Sequence, residues 1–107
     1  RTNLDADLVD ECIIGNTGNP VDSVNISRVV ALRSGIPIKT SAYTVHRNCA
    51  SALESITTGY DKIRSSTLDV VISGGTESMS QMPIFMPKKI TKINKKRPQS
   101  CYLVALL

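Results

Sequence analysis

The stretch from Ala42 to Ile63, AYTVHRNCASALESITTGYDKI, joins a strand to a helix across a cysteine. Ala42-Tyr43-Thr44-Val45 have the aromatic and β-branched character of a strand, which the pattern predicts over Tyr43 to Arg47. Beyond it Ala50, Leu53, Ile56, Tyr60 and Ile63 recur at spacings of three and four, the period of a helix. Cys49 therefore falls at a helix N-terminus. The helix should end near Ser65-Ser66, and it tolerates Gly59 at a cost of about 1 kcal/mol relative to alanine.

Working outward, Leu8 to Ile14 reads as a strand, and Gly15-Asn16-Thr17-Gly18-Asn19-Pro20 is a loop built from turn residues. A helix is predicted to begin at Asp22 or Ser23, to carry Val24, Val29, Val30 and Leu32, and to stop at Gly35 and Pro37. Asp69 to Ser73 reads as a third strand, with Gly74-Gly75-Thr76-Glu77 as the turn just beyond it. Strand, helix, strand, helix, strand is the order of right-handed crossovers in a parallel sheet, so the fold class is α/β. Sites in such sheets form at the carboxyl ends of strands, which places Cys49 and the Gly74–Glu77 turn at one cleft.

A chain of 107 residues that is 41% hydrophobic forms a single core at most. With no Trp and one Phe, that core must be aliphatic, which suits a parallel sheet covered on both faces. Three cysteines with no C-x-x-C spacing and a single histidine argue against a disulfide framework and against a metal site, and for a reducing compartment. The net charge of +4 is concentrated in Lys88, Lys89, Lys92, Lys95, Lys96 and Arg97. Such a cluster is either a solvated basic tail or a contact for phosphates. Without interleaved stacking aromatics or a recognisable nucleic-acid fold it does not point to nucleic acid. Arg1 to Asp7 has no apolar run of a secretory leader. The apolar ending Tyr102 to Leu107 is far shorter than the roughly twenty residues of a membrane helix. An intracellular protein, neither secreted nor membrane-spanning, is expected.

The position of Cys49 carries chemistry. The free N–H groups of a helix's first turn present partial positive charge, which favours a thiolate over a thiol. The same groups can stabilise an oxyanion developing on an acyl carbonyl. A buried apolar filler is the other reading of a free cysteine, and position alone leaves both open. His46 is a candidate base, although three residues upstream on a strand it points mostly away from Cys49. Arg47 and Asn48 suit capping or packing at the elbow, and Glu77 suits hydrogen bonding to neighbouring backbone more than acid–base work. Gly74 and Gly75 fit no phosphate-loop spacing. Met79, Met82 and Met86 read as core or pocket lining, and Cys12, on an apolar strand, as inert.

HRNCASALE, from His46, followed by DVVISGGTESMS, from Asp69, resembles the thiolases, acyl-CoA acyltransferases whose acyl-accepting cysteine lies in an N-R-x-C-A-S-G pattern. The resemblance extends through Val9-Asp10-Glu11-Cys12-Ile13-Ile14-Gly15-Asn16 and through Arg28 to Pro37, covering roughly Leu8 to Pro83. GGTESMS is more similar to thiolases than to decarboxylating ketoacyl synthases, and His46 is most similar to the branch of the fatty-acid oxidation complexes. The resemblance implies a thiolase-like N-terminal half: a layered βαβαβ parallel sheet, incomplete at both ends. Residues 1–87 would be a partial N-terminal domain, and residues 88–107 a basic then apolar tail opening a loop domain. It implies Cys49 as the catalytic acyl acceptor, coenzyme A thioesters as substrates with no permanently bound cofactor, and acyl-CoA and coenzyme A as partners. For a full-length chain it also implies a dimer or higher homo-oligomer, with Tyr43 to Arg47 contributing to the pairing, in the cytoplasm or mitochondrion.

Departures accompany the match. Ala52 stands where the family has glycine, adding a methyl group near the nucleophile. The G-H-P histidine and C-x-G cysteine that complete a thiolase site are absent; the only histidine is His46, and Cys12 and Cys101 fit neither motif. The family's first strand and helix, the strand central in its sheet, precede the segment with which this chain starts. A fragment of marginal stability is expected, with a catalytically inactive remnant that acts through association as the alternative to an acyltransferase.

Overall fold

The computed structural model describes residues 4–82, 84–85 and 103–104. After a 3-10 turn at Ala6–Leu8, the elements are β1 (Glu11–Gly15), α1 (Ile26–Arg33), β2 (Ser41–Val45), α2 (Ser51–Arg64) and β3 (Val71–Gly75). A second 3-10 turn at Met79–Gln81 precedes β4 (Ile84–Phe85), which pairs in parallel with β5 (Leu103–Val104). The main sheet is parallel throughout, in the order β2-β1-β3. The α/β class and the strand–helix alternation agree with the sequence pattern. Met86, Cys101 and the Lys88–Arg97 cluster lie outside the described residues.

Glu11–Gly15 occupies the middle of the sheet, paired on both sides with Ser41–Val45 and Val71–Gly75. The strand that the resemblance puts at the centre of the family's sheet is therefore not needed to pair the backbone of β1, which has a neighbour on each side. All five β1 residues are buried. Successive side chains point to opposite faces. Cys12 and Ile14 meet Ala31 of α1 and Ile36, with Ile72 and Ala42 packed alongside. Ile13 is fully buried among the odd-numbered positions on the other face, where Gly15 abuts α2. Burying an aliphatic side chain of this size contributes about 1.5–3 kcal/mol.

Element boundaries differ from the sequence pattern where side chains override it. Helix α1 starts at Ile26 rather than at Asp22 or Ser23 because Asn25 is the N-cap: its Oδ1 accepts from Arg28 N at 3.2 Å and from Thr44 Oγ1 at 3.0 Å. Strand β2 ends at Val45, leaving His46 and Arg47 in the connection to α2. Strand β3 runs through Gly74 and Gly75, which composition assigns to a turn. Strand β1 begins at Glu11, three residues later than the apolar run suggests, since Ala6–Leu8 form the 3-10 turn.

Helix α2 faces the sheet with its small residues. Ser51, Ser55 and Gly59 are buried, while Leu53, Ile56, Tyr60 and Ile63 are 62%, 51%, 59% and 45% exposed. The seam is close: a Cβ at Gly75 would lie 2.5 Å from the Ala52 Cβ, and one at Gly59 would collide with Ser73 Oγ. The Ser55 hydroxyl lies 2.6 Å from the Gly74 carbonyl, 2.7 Å from the Ala52 carbonyl, and accepts from Gly74 N at 3.1 Å. Gly59, costly by helix propensity, is thus favoured by packing, since a larger residue would have to displace the Ser73 hydroxyl. At the far end of α2, Lys62 pairs with Glu11 and stands 5.0 Å over the Tyr43 ring. The Glu11 carboxylate first, helped by Tyr43, raises the Lys62 pKa against a desolvation that lowers it.

Candidate active site

At the carboxyl end of the sheet lies a cavity of about 540 Å³. Three segments wall it: Gly15-Asn16-Thr17 after β1, Asn48-Cys49 with Ser51-Ala52 at the start of α2, and Gly75-Thr76-Glu77 with Met79 and Met82 after β3. The cleft expected from topology is therefore formed, and it brings Cys49 together with Glu77. Met79 and Met82, which the sequence leaves between core and pocket, line the pocket.

Cys49 is exposed on this cavity, whereas Cys12 is 1% exposed beneath α1. The apolar-filler reading fits Cys12 and not Cys49. Asn48, immediately before Cys49, has φ of +48°, in the left-handed region that few residues other than glycine and asparagine adopt readily. Its carbonyl accepts from Thr17 Oγ1 at 2.9 Å, from Ser51 Oγ at 2.7 Å and from Ser51 N at 3.1 Å. Ser51 Oγ in turn accepts from Arg47 N at 2.8 Å. The cysteine thus stands on a sharp turn held by its own backbone and by Ser51.

The helix begins later than the pattern suggests. Its first residue is Ser51 and its N-cap is Ala50, so Cys49 precedes the cap. Ala50 N donates to the Arg47 carbonyl at 3.0 Å and Ser51 N to that of Asn48. Those two N–H groups are consumed by the turn and do not face a ligand. Arg47 pairs with Glu54 at the surface. His46 is exposed and is not among the residues lining the cavity.

Glu77 clips two segments together. Its carboxylate accepts from Thr17 N at 2.9 Å, from Gly18 N at 3.1 Å, from Ser78 N at 3.2 Å and from Asn16 Nδ2 at 3.4 Å. The Thr17 N–H first, opposed by some desolvation and aided by Ser78, Gly18 and Asn16, holds its pKa below the usual carboxylate range. A side chain at Gly18 would meet Glu77 Oε1 at 2.5 Å, so glycine there makes room for the clip. Asn16 completes the clamp by donating to the Thr76 carbonyl at 2.7 Å and accepting from Asn19 N at 2.8 Å.

Sequence reasoning does not single out Asn16 or Thr17, which it reads as turn residues. The available signal is their position just past the carboxyl end of what proves to be the central strand. No cluster of His, Cys, Asp and Glu suited to a metal ion occurs among the described residues. No helix among them is long and apolar enough to cross a membrane.

Residues 1–104 match the family model described as Thiolase, N-terminal domain. The chain is 34% identical over 101 residues to a 3-ketoacyl-CoA thiolase of Aeromonas salmonicida, covering 91% of this chain and 23% of that protein. It is 39% identical over 93 residues to the mitochondrial trifunctional enzyme subunit beta of Homo sapiens, covering 87% of this chain and 20% of that one. The fold superposes on a crystal structure of Acat5 thiolase from Ascaris suum in complex with coenzyme A with a TM-score of 0.76, at 29% identity, covering 80% of this chain and 22% of that one. It superposes on the Bacillus anthracis acetyl-CoA acetyltransferase with a TM-score of 0.71, at 34% identity, covering 75% and 20%. The chain spans about a fifth of the length of the relatives it matches. By this match to the family's N-terminal domain, and by a parallel α/β sheet that carries an exposed cysteine turn at its carboxyl end, the chain belongs to the thiolase family, a family of acyltransferase enzymes.

Proposed function

We propose that Cys49 accepts an acyl group from a coenzyme A thioester. The observation that carries this reading is the placement of an exposed thiol on a left-handed turn at a cavity whose other walls include Ala52, Met79 and Met82, apolar groups suited to an acyl chain. In the thiolytic direction the Cys49 sulfur forms a bond to the keto carbon of a 3-ketoacyl-CoA. The bond between that carbon and the α-carbon then breaks, its electron pair stays on the α-carbon, and that carbon takes up a proton equivalent to the one the thiol gave up, which releases acetyl-CoA. The shortened acyl group remains on Cys49 as a thioester, and free coenzyme A takes it up; the reverse is a Claisen condensation. His46 stands off the cavity, and with neither a G-H-P histidine nor a C-x-G cysteine beside Cys49 the residues present suit at most the acylation half of the cycle. The substrates are acyl-CoA and coenzyme A, with no permanent cofactor, and the setting is the cytoplasm or mitochondrion, as for the mitochondrial relative.

Incubation with acetyl-CoA, followed by peptide mass spectrometry, tests this. A hydroxylamine-sensitive acetyl group on Cys49, absent from Cys12 and lost in Cys49→Ser, is the expected result. No acetylation of Cys49 overturns the reading.

A second reading is favoured by a specific observation. The outward stripe Leu53, Ile56, Tyr60 and Ile63 is a contiguous apolar helix face that nothing covers among the described residues, and such faces mark contacts. On this reading the chain works only by associating with a full-length thiolase. Sedimentation of the chain alone and mixed with such an enzyme separates the two: a complex in the mixture together with no acetylation of the isolated chain favours association.

A further inference from the structure

We infer that Thr17 is a positioning residue for Cys49 and that Glu77 fixes Thr17 in that role; the inference rests on the acyl-transfer reading. Two kinds of bond hold the Asn48 carbonyl. Those from Ser51 Oγ and Ser51 N come from three residues along the chain and shape the turn locally, and Ser51 Oγ also lies 3.3 Å from Thr17 Oγ1. The bond from Thr17 Oγ1, at 2.9 Å, comes from 31 residues away, on the loop after β1 that forms another wall of the cavity. It ties the cysteine turn to the space that an acyl group would occupy.

Thr17 is itself immobilised from behind. Its N–H and that of Gly18 both donate to the Glu77 carboxylate, and Asn16 donates to the Thr76 carbonyl beside it. The order of connection is Glu77, Thr17, Asn48, Cys49, and it spans all three walls. The arrangement matters because acyl transfer demands that the sulfur and the acyl carbon approach along one line, and a misplacement of about 1 Å costs on the order of a hundredfold in rate. A small reagent that diffuses freely to an exposed thiol makes no such demand.

The test compares Thr17→Val, which keeps the shape and removes the hydroxyl, with Thr17→Ser, which restores it. Acetylation of Cys49 by acetyl-CoA should slow about tenfold or more in Thr17→Val, while its alkylation by iodoacetamide changes less than about twofold. Thr17→Ser should recover acetylation to within about threefold of the parent. Glu77→Gln, which replaces one of the two accepting oxygens by an NH2 and leaves a single carbonyl for the Thr17, Gly18 and Ser78 N–H groups, should reproduce the valine phenotype and serves if the valine variant does not fold. Amide exchange at Cys49 to Ala52, measured at matched global stability, should be about tenfold faster in Thr17→Val and normal in Thr17→Ser. Equal acetylation in parent and valine variants, a parallel fall in both reactions, or failure of serine to rescue overturns the inference alone. If the parent is not acetylated, the acyl-transfer reading fails, and the exchange rates decide the positioning claim: unchanged rates overturn it.

Discussion

Replacing Gly15 with alanine should detach the start of α2 from the sheet, and replacing Gly74 should not. A Cβ at Gly15 would lie 2.5 Å from the Ala52 nitrogen and closer still to the Ser51 carbonyl carbon and oxygen. Ordinary van der Waals contact begins at 3.4 Å, so the helix backbone must retreat by about 1 Å in a seam with no slack. The colliding atoms are main chain, so no side-chain rotation relieves them. Overpacking of this kind costs typically 1–3 kcal/mol, and a backbone collision belongs at the upper end, about 3 kcal/mol. With a urea slope of about 2 kcal/mol/M, the unfolding midpoint should fall by about 1.5 M. A Cβ at Gly74 meets nothing within 4 Å, and alanine relieves the entropic cost of glycine in a strand, so that variant should match or exceed the parent by about 0.5–1 kcal/mol. Far-UV circular dichroism in urea measures both. If Gly15→Ala unfolds at the same midpoint as Gly74→Ala, the close seam between α2 and β1 is wrong, and with it the placement of the Cys49 turn.

Other perturbations follow from the same seam and its loops. Ser55→Ala removes the hydroxyl that serves both the carbonyl and the N–H of Gly74, and should cost about 1–3 kcal/mol in the same urea experiment; a loss under about 0.5 kcal/mol would mean that solvent replaces it freely. Glu77 and Asp10 are both held below their ordinary values of 4.5 and 3.8, Glu77 chiefly by the Thr17 N–H and Asp10 by the N–H groups of Val70 and then Asp69. A carboxyl with a depressed folded-state pKa contributes stability that is present above its unfolded value and lost as pH falls through the folded one. Stability should therefore decline as pH drops below about 4.5, and Glu77→Gln and Asp10→Asn should each flatten that decline when thermal midpoints are compared between pH 6 and pH 3. A parent and variants that decline in parallel would refute the assignment.

The alternation of elements was legible because Cys12-Ile13-Ile14, Tyr43-Thr44-Val45 and Val70-Val71-Ile72 are short aliphatic runs separated by helix-length segments, and periodicity alone distinguishes these. The ends of elements were not. Gly74 and Gly75 look like a turn by composition, yet they continue β3, because the neighbouring helix lies too close for any other residue at Gly75. Asn25 rather than Asp22 or Ser23 caps α1, a choice fixed by Thr44 on a strand that sequence places far away. At the site, Cys49 was visible as a type of residue in a type of place. Thr17 and Glu77 acquire their meaning only from hydrogen bonds spanning 31 and 60 residues, which no local window contains.

The facing of α2 was the point at which periodicity misled, and the reason connects packing to chemistry. A stripe of Leu53, Ile56, Tyr60 and Ile63 marks a face that a helix buries, and the usual inference is that the sheet covers it. Here the sheet is met instead by Ser51, Ser55 and Gly59, against Gly15, Ser73 and Gly75. Small residues on both sides bring the helix axis closer to the strands than large aliphatics allow, and they supply Ser55 to hydrogen-bond the edge of β3. The first turn of α2, packed this closely on the strands, lines the cavity with Ser51 and Ala52 beside Cys49. The apolar stripe is left for a second surface. Its four side chains, each about half exposed, represent roughly 1 kcal/mol apiece of burial not yet realised, which is the energetic argument for a covering layer over this helix.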